Sequence, residues 1–328
     1  MWKYLLRRSL YAIFTVWVIS ILAFAVIQLP PGDYVTDLVN QLRSQAGEVS
    51  PEWEARMRAM YGFDDPFIVQ YWKWIRNIIF RGEFGYSFFY RRDAGVMIME
   101  RLPMSFALSF SSLMFVWAVA LPIGFYSAVR RYSMVDYFAS FIGFFGMSIP
   151  NFLLALMVLF FTYKYMGGAV IGLFSEEYAN APWSWGKFMD LMSNIWVPMI
   201  IIGISSTAGL IRTMRANLLD ELNKPYVETA RAKGLSEARL LIKYPLRHAL
   251  NPFISTIGWM LPGLVSGETI VSMVLNLPTS GPVLFNALIR QDQYVAAGFI
   301  LMLSTLTVIG TFISDVALAW VDPRIRLQ

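Results

Sequence analysis

Six runs of apolar sequence constrain this chain more than any other feature. They are Ser9 to Leu29, Leu102 to Val129, Tyr137 to Tyr163, Leu191 to Ile211, Ala249 to Leu275 and Gln293 to Ser314. Crossing the hydrocarbon core as a helix takes about 20 mostly apolar residues. All but one of the runs lack Asp, Glu, Lys and Arg; Ala249 to Leu275 carries Glu268 alone. Runs this long and this free of charge do not fit helices in the core of a soluble protein. Charged residues make up only 15% of the chain, against about 25% in soluble domains. The expected fold class is therefore an all-α membrane protein with six transmembrane helices. The first run follows Lys3, Arg7 and Arg8, as a signal peptide would. Its length and the lack of an A-x-A site before Pro30 predict an uncleaved anchor instead.

Basic residues in short loops set the orientation. Six spans place both termini on one side. That side receives Lys3, Arg7 and Arg8, then Arg130 and Arg131, then the basic stretch from Arg212 to Arg247, then Arg324 and Arg326. The short loops opposite hold only Lys164, Lys187 and Arg290. The N- and C-termini are thus expected in the cytoplasm. The net charge of +5 is a topology signal, and the expected partner is the lipid membrane, with no nucleic acid. The chain divides into residues 1–29 (cytoplasmic N-terminus and first span), 30–101 (an extracytoplasmic helical insertion) and 102–328 (spans two to six), with a cytoplasmic loop at 212–251. Within the insertion, Ser50 before Pro51 and Asp65 before Pro66 predict helices over Pro51–Tyr61 and Pro66–Phe80. A second outer region, Lys164 to Trp196, carries Trp183, Trp185 and Trp196, which suit a membrane interface.

Catalytic chemistry is sparse. The chain has no cysteine and a single histidine, His248. That excludes thiolate metal sites and cysteine nucleophiles, and it leaves no basis for a Ser-His-Asp triad. No phosphate-cradling P-loop occurs, since Gly203 to Gly209 is followed by Leu210 and not by lysine. The chain is read as non-catalytic, so any use of ATP requires a separate subunit.

The loop between spans four and five is the most informative stretch. Asn223 can cap a short helix, with Pro225 near its first turn. Gly234 suits the left-handed position that ends a helix. Ser236 can cap a second helix running to about Tyr244, where Pro245 stops it. Helices this short are marginal alone, so the element is expected to pack on the membrane helices or on a partner.

Glu228-Thr229-Ala230 followed by Gly234 resembles the EAA…G motif of permease subunits of bacterial ABC importers. Ala230-Arg-Ala-Lys-Gly-Leu235 and Arg247-His-Ala-Leu-Asn-Pro252 are similar to its dipeptide/oligopeptide branch. So are Leu29-Pro-Pro-Gly-Asp33, Tyr61-Gly-Phe-Asp-Asp-Pro-Phe-Ile-Val-Gln-Tyr71, Gly82-Glu-Phe-Gly-Tyr-Ser87, Glu100-Arg-Leu-Pro-Met104, Gly267-Glu-Thr-Ile-Val271 and Asp322-Pro-Arg-Ile-Arg326. Together they cover nearly the whole chain in order. Thr229 replaces the motif's first alanine. Pro278-Thr-Ser-Gly281 stands where the branch has P-G-x-G, and Met104-Ser105 stands where it has x-Thr.

The resemblance implies the type I importer permease fold and a place in the bacterial or archaeal cytoplasmic (inner) membrane. It implies a second homologous permease subunit, two ABC ATPase subunits and an extracytoplasmic substrate-binding protein. It implies no cofactor on this chain, with ATP and Mg held by the ATPase subunits. The substrate class implied is di- or oligopeptides, although related systems also carry nickel or sugars. The ATPase-coupling loop would comprise Pro225, Tyr226, Glu228, Thr229, Ala230, Arg231, Ala232, Lys233, Gly234 and Leu235.

Residues within the spans supply candidates for the translocation path: Glu268, Asn151, Ser205 and Ser206. Glu268 lies about 24 Å from the cytoplasmic end of span five at a rise of about 1.5 Å per residue. It either lines the path and meets a cationic group or makes an interhelical hydrogen bond; both readings stand. Pro150, near Gly143, Gly146, Ser148 and Asn151, predicts a kink or break in span three. The small residues from Gly203 to Gly209 allow close helix packing or could line the path. Asp315 is expected to reach water or Arg324, and His248 to be solvated or to touch a partner. The alternative functional classes are an autonomous secondary transporter or channel and a membrane scaffold. A single deep acid without internal repeats fits a secondary transporter poorly.

Overall fold

The computed structural model describes residues 2–28, 34–46, 49–61, 64–87, 89–168, 171–251, 253–254 and 269–321. These residues are overwhelmingly helical. The helices are α1 (Trp2–Gln28), α2 (Tyr34–Ala46), α3 (Pro51–Tyr61), α4 (Phe67–Arg81), α5 (Ala94–Val129), α6 (Met134–Ser148) and α7 (Asn151–Met166). They continue as α8 (Glu176–Ala179), α9 (Trp185–Asn194), α10 (Trp196–Leu222), α11 (Pro225–Ala232), α12 (Glu237–Lys243), α13 (Pro245–Ala249), α14 (Ser280–Ile289) and α15 (Gln293–Val321). One two-stranded antiparallel ladder pairs β1 (Tyr86–Ser87) with β2 (Arg92–Asp93), with Tyr86 opposite Asp93.

Four helices among the described residues are long and apolar enough to cross a membrane: α1, α5, α10 and α15. The helices α6 and α7 qualify only as a pair and bend by 93° at their junction. This is the break expected at Pro150. The ring of Pro150 removes an N–H and clashes with the preceding turn, so Ile149 and Pro150 leave helical geometry and Asn151 opens a new helix. Most of the fifth expected span, with Glu268, lies outside the described residues. The described spans shift against their apolar runs: Leu191 belongs to α9, and α10 starts only at Trp196. Helix α5 begins at Ala94, ahead of Leu102. Helix α10 continues past Ile211 to Leu222, burying Met214 and Leu218 on the way.

By packing, the chain forms two compact units. One comprises Met1–Arg8, Phe106–Pro278 and Ile309–Gln328. Helix α10 is its axis: α6, α7 and α13 all pack on it. The second unit comprises Ser9–Ser105 and Thr279–Val308. Its core is aromatic and aliphatic, with Phe24, Trp74, Phe84, Ile98, Val295 and Phe299 buried together. The sequence segments follow membrane boundaries, whereas these units follow burial.

The Gly82-to-Ser87 motif acquires a physical reason in the second unit. Gly82 closes α4 in the left-handed conformation, with φ of 70°. Phe84 turns into the core, and its carbonyl accepts the Trp74 indole N–H at 3.0 Å. Gly85 has φ of 107°, and a Cβ there would stand 2.6 Å from the Tyr294 ring. No other residue meets both demands. Ser87 then donates to the Asp292 carboxylate at 2.5 Å.

Candidate functional site

The loop after α10 folds as three short helices, α11 packed on α12, α12 on α13 and α13 on α10. Helix α10 ends at Leu222, and the Asn223 amide donates to the Leu219 carbonyl at 3.0 Å. Asn223 therefore closes the preceding helix, and it does not open the next one as expected. Lys224 is the N-cap of α11, with Pro225 at its first position. Here the missing proline N–H costs nothing, because the first turn leaves donors unpaired anyway. Lys233 ends the helix and Gly234 follows with φ of 78°. Ser236 precedes α12, as expected. Pro245 does more than stop α12: after the kink at Tyr244 it opens α13.

A miniature core fixes the shape of this loop. Val227, Ala230 and Leu240 are buried, with Tyr226, Leu235, Leu241 and Tyr244 packed around them. The Tyr226 hydroxyl donates to the Glu221 carboxylate, which also holds Lys224 Nζ at 2.5 Å. Burial first, and then the Glu221 charge, push the Tyr226 hydroxyl above the ordinary tyrosine range, so it remains a donor at neutral pH. Arg231 bridges the Gly234 turn to Glu237, with Nε to Oε1 at 2.6 Å. That bond holds the Glu237 carboxyl below its usual range.

Because Val227 and Ala230 face inward, their neighbours Glu228, Thr229, Arg231 and Ala232 face outward and are exposed. Thr229 satisfies its own hydroxyl on the Pro225 carbonyl at 2.9 Å. Glu228 makes no hydrogen bond or ion pair among the described residues. The adjacent surface adds Lys233, Arg239 and Lys243 and an exposed Ile242. The result is a mostly basic knob with an exposed carboxylate at Glu228 and an apolar contact point at Ile242. His248 is exposed beside it and meets the Tyr226 ring at 5.8 Å.

The structure brings together two of the four path candidates. Ser205 Oγ donates to Asn151 Oδ1 at 2.7 Å and lies 3.2 Å from the Gly146 carbonyl. This bond straddles the Pro150 break and satisfies a carbonyl that the broken helix leaves free. Ser206 is half-buried one position on. Gly203 sits against α5, where a Cβ would stand 2.9 Å from the Phe115 ring, while nothing approaches Gly209 within 4 Å. The small residues thus divide between close packing and open space. Beside them, α5, α6 and α10 enclose a groove of about 220 Å³ lined by apolar residues, among them Phe115, Ile142, Gly143 and Ala208.

Several polar anchors were not anticipated. Asp136 and Arg215 form a two-pronged ion pair, at 2.8 Å to Nε and 3.0 Å to Nη2, joining α6 to α10. Asp136 also accepts the Tyr132 N–H, while Ser133 accepts that of Asp136. This is a reciprocal capping arrangement, and the S-x-x-D spacing is its sequence signal. Asp315 pairs with Arg8 Nη1 at 2.8 Å. This partner on α1 was not expected; Arg324, the expected one, lies outside the described residues. Ser105 and Ser280 share a buried hydrogen bond of 2.6 Å.

Residues 1–109 match the N-terminal family of binding-protein-dependent transport system membrane components, and residues 120–327 match the binding-protein-dependent transport system inner membrane component family. The chain belongs to this family. It is a multi-pass membrane permease of the ABC importer class, and family membership disfavours the autonomous transporter, channel and scaffold readings. Among its relatives, the oligopeptide transport system permease protein AppB of Bacillus subtilis is 34% identical over 98% of this chain and 99% of its own length. The dipeptide transport system permease protein DppB of Escherichia coli K12 is 29% identical over 99% of both. Among solved structures, an inward-facing MetNI methionine ABC transporter chain superposes with a TM-score of 0.53. It covers 69% of this chain and 96% of that one at 19% identity. That likeness speaks to the fold of this family member.

Proposed function

We propose that this permease is half of the membrane pathway of a bacterial inner-membrane importer for di- or oligopeptides. On this reading it has six spans with both termini in the cytoplasm. It pairs with a second permease, two ATPase subunits that hold ATP and Mg, and an extracytoplasmic binding protein. It carries no catalytic residue and no cofactor of its own. The names and full-length coverage of the peptide permease relatives support the substrate class.

The observation that carries the coupling role is the knob from Pro225 to Leu235. Its inner face is consumed by Val227, Ala230 and Leu240, so Glu228, Thr229, Arg231, Ala232 and Lys233 are held outward for a partner. A packed knob transmits displacement, where a solvated connector would absorb it. Closure of the ATPase dimer would push α11, and α13 would pass that motion to α10, on which it packs. Movement of α10 would then act on the Asn151–Ser205 bond at the break, beside the proposed path residue Ser206.

Glu228→Gln and Gly234→Ala test this directly. Both should reduce co-purification of the ATPase subunits and peptide uptake while leaving the amount of permease in the membrane unchanged. Undiminished ATPase capture and uptake in both variants would overturn the coupling assignment. Glu268→Gln tests the path assignment: uptake should fall while ATPase capture stays normal.

A further inference from the structure

We propose that α4 is an interfacial helix whose outward face is seated in the lipid bilayer, in the leaflet that holds the C-terminal end of the first span.

Helix α4 has two apolar faces. Tyr71, Trp74, Ile75 and Ile78, at i, i+3, i+4 and i+7, turn into the core of their unit. Ile68, Trp72 and Ile79, at i, i+4 and i+11, form a second stripe about a quarter turn round the helix from the first, with Phe80 further round. They are 77%, 63%, 68% and 80% exposed. An aqueous helix would carry polar residues there.

The neighbours of α4 fix its depth. Its inner face lies along the last turns of α1. The Ser20 and Tyr71 hydroxyls are 2.8 Å apart, the Phe24 ring stacks on Trp74 at 5.2 Å, and Gln28 donates to Gln70 at 2.7 Å. The apolar stretch of α1 runs from Tyr4 to Val26. Ser20 is therefore about 9 Å inside its end, at about 1.5 Å per residue. A helix that touches α1 at that level lies at the depth of the bilayer interface while α1 spans it. Leu22 and Val26 at this end of α1 are exposed as well.

The flanking charges fit the same placement. Arg76 borders the stripe, Lys73 lies further round the helix and Arg81 ends it. Lys73 pairs with Asp65 and Arg81 lies 4.0 Å from Glu83. Arg76 is exposed and makes no ion pair among the described residues. Cations beside a tryptophan and aliphatic residues suit the headgroup level, where long basic side chains reach phosphate while the apolar face sits about 5–10 Å into the acyl boundary.

The chain has no cysteine, so Ile68→Cys, Trp72→Cys and Ile79→Cys can each carry a single bimane label on the full-length permease, purified with its subunits. The variants go into nanodiscs of phosphatidylethanolamine and phosphatidylglycerol, with or without brominated acyl chains. Glu83→Cys serves as the aqueous control. The three stripe labels should lose about half or more of their emission in brominated discs and resist a water-soluble nickel quencher, with the reverse at position 83. Quenching by nickel at the stripe would overturn the proposal. Protection from both quenchers would also overturn it, by placing a protein on this face. A variant that fails to assemble is replaced by its neighbours on the same stripe, since any one of the three reports the depth. Peptide uptake plays no part in the readout, so loss of the transport reading would leave this result standing.

Discussion

The hydroxyl groups of Ser105 and Ser280 lie 2.6 Å apart although 175 positions separate them in the chain. Ser105 Oγ also accepts the Ser280 backbone N–H at 2.8 Å, and both serines are buried. These residues sit at two of the three places where the sequence departs from the importer pattern, Thr229 being the third. The two departures are thus neighbours in space. Thr279, standing where the pattern has glycine, is extended with φ of −103°, so no left-handed residue is needed there.

Ser105→Ala should lower the thermal unfolding midpoint in detergent, because it strands a buried N–H at a cost of about 1–3 kcal/mol. Ser105→Thr keeps the acceptor and should recover most of the loss. An alanine variant that melts with the wild type would show that the bond contributes nothing.

The Asp136–Arg215 pair predicts a non-additive series. The Asp136 side chain is 4% exposed and that of Arg215 30%. Arg215→Met leaves a buried carboxylate without its cation and should cost about 3 kcal/mol. Adding Asp136→Leu to Arg215→Met should restore folded yield, measured as the monodisperse fraction on size exclusion. A double variant as poor as the single one would rule out the pair as the cause.

Burial raises the Asp292 carboxyl above its ordinary range, outweighing the hydrogen bonds from Ser87 and the N–H groups of Phe89 and Val295, which lower it. The native state therefore holds that proton more tightly than the unfolded chain. Ionised Asp292 costs stability at neutral pH. The cost is relieved as pH falls through the raised native value towards about 3.9, the unfolded reference. Asp292→Asn lacks this relief. Its melting midpoint, compared with the wild type from pH 8 to pH 4, should lose ground as pH falls. Parallel curves would refute the assignment.

Gly234 has φ of 78°, where a Cβ costs roughly 1–2 kcal/mol. Asparagine tolerates that conformation better than alanine or valine. ATPase capture should therefore rank glycine above asparagine, alanine and valine in that order. Equal capture by all four, measured by pull-down, would mean that the turn does not set the knob.

Much of this architecture was legible in the residues, and the reason is local. The break at Pro150, the α3 boundaries and the left-handed Gly234 depend on backbone chemistry within one turn. The partners of Asp136, Asp315 and Ser105 were not legible, because each lies on a distant helix and a span carries no mark of its neighbours. Asn223 was assigned to the wrong helix for a related reason. Its amide can cap either side of a two-residue gap, and the extension of α10 past its apolar stretch decided between them. The packing units escaped notice because α5 and α15 pass from one to the other, and apolar periodicity does not register such a crossing.

The contact between Tyr4 and Asp315 joins positions 311 residues apart, and Arg8 grips the same aspartate. Translation at about 5–20 residues per second separates the appearance of these two ends by roughly 15–60 s. Helix α15 also divides between the units, Gln293–Val308 to one and Ile309–Val321 to the other. Neither unit can close on the ribosome. The pairing of Arg8 with Asp315 waits on the synthesis of α15, which contributes to both units.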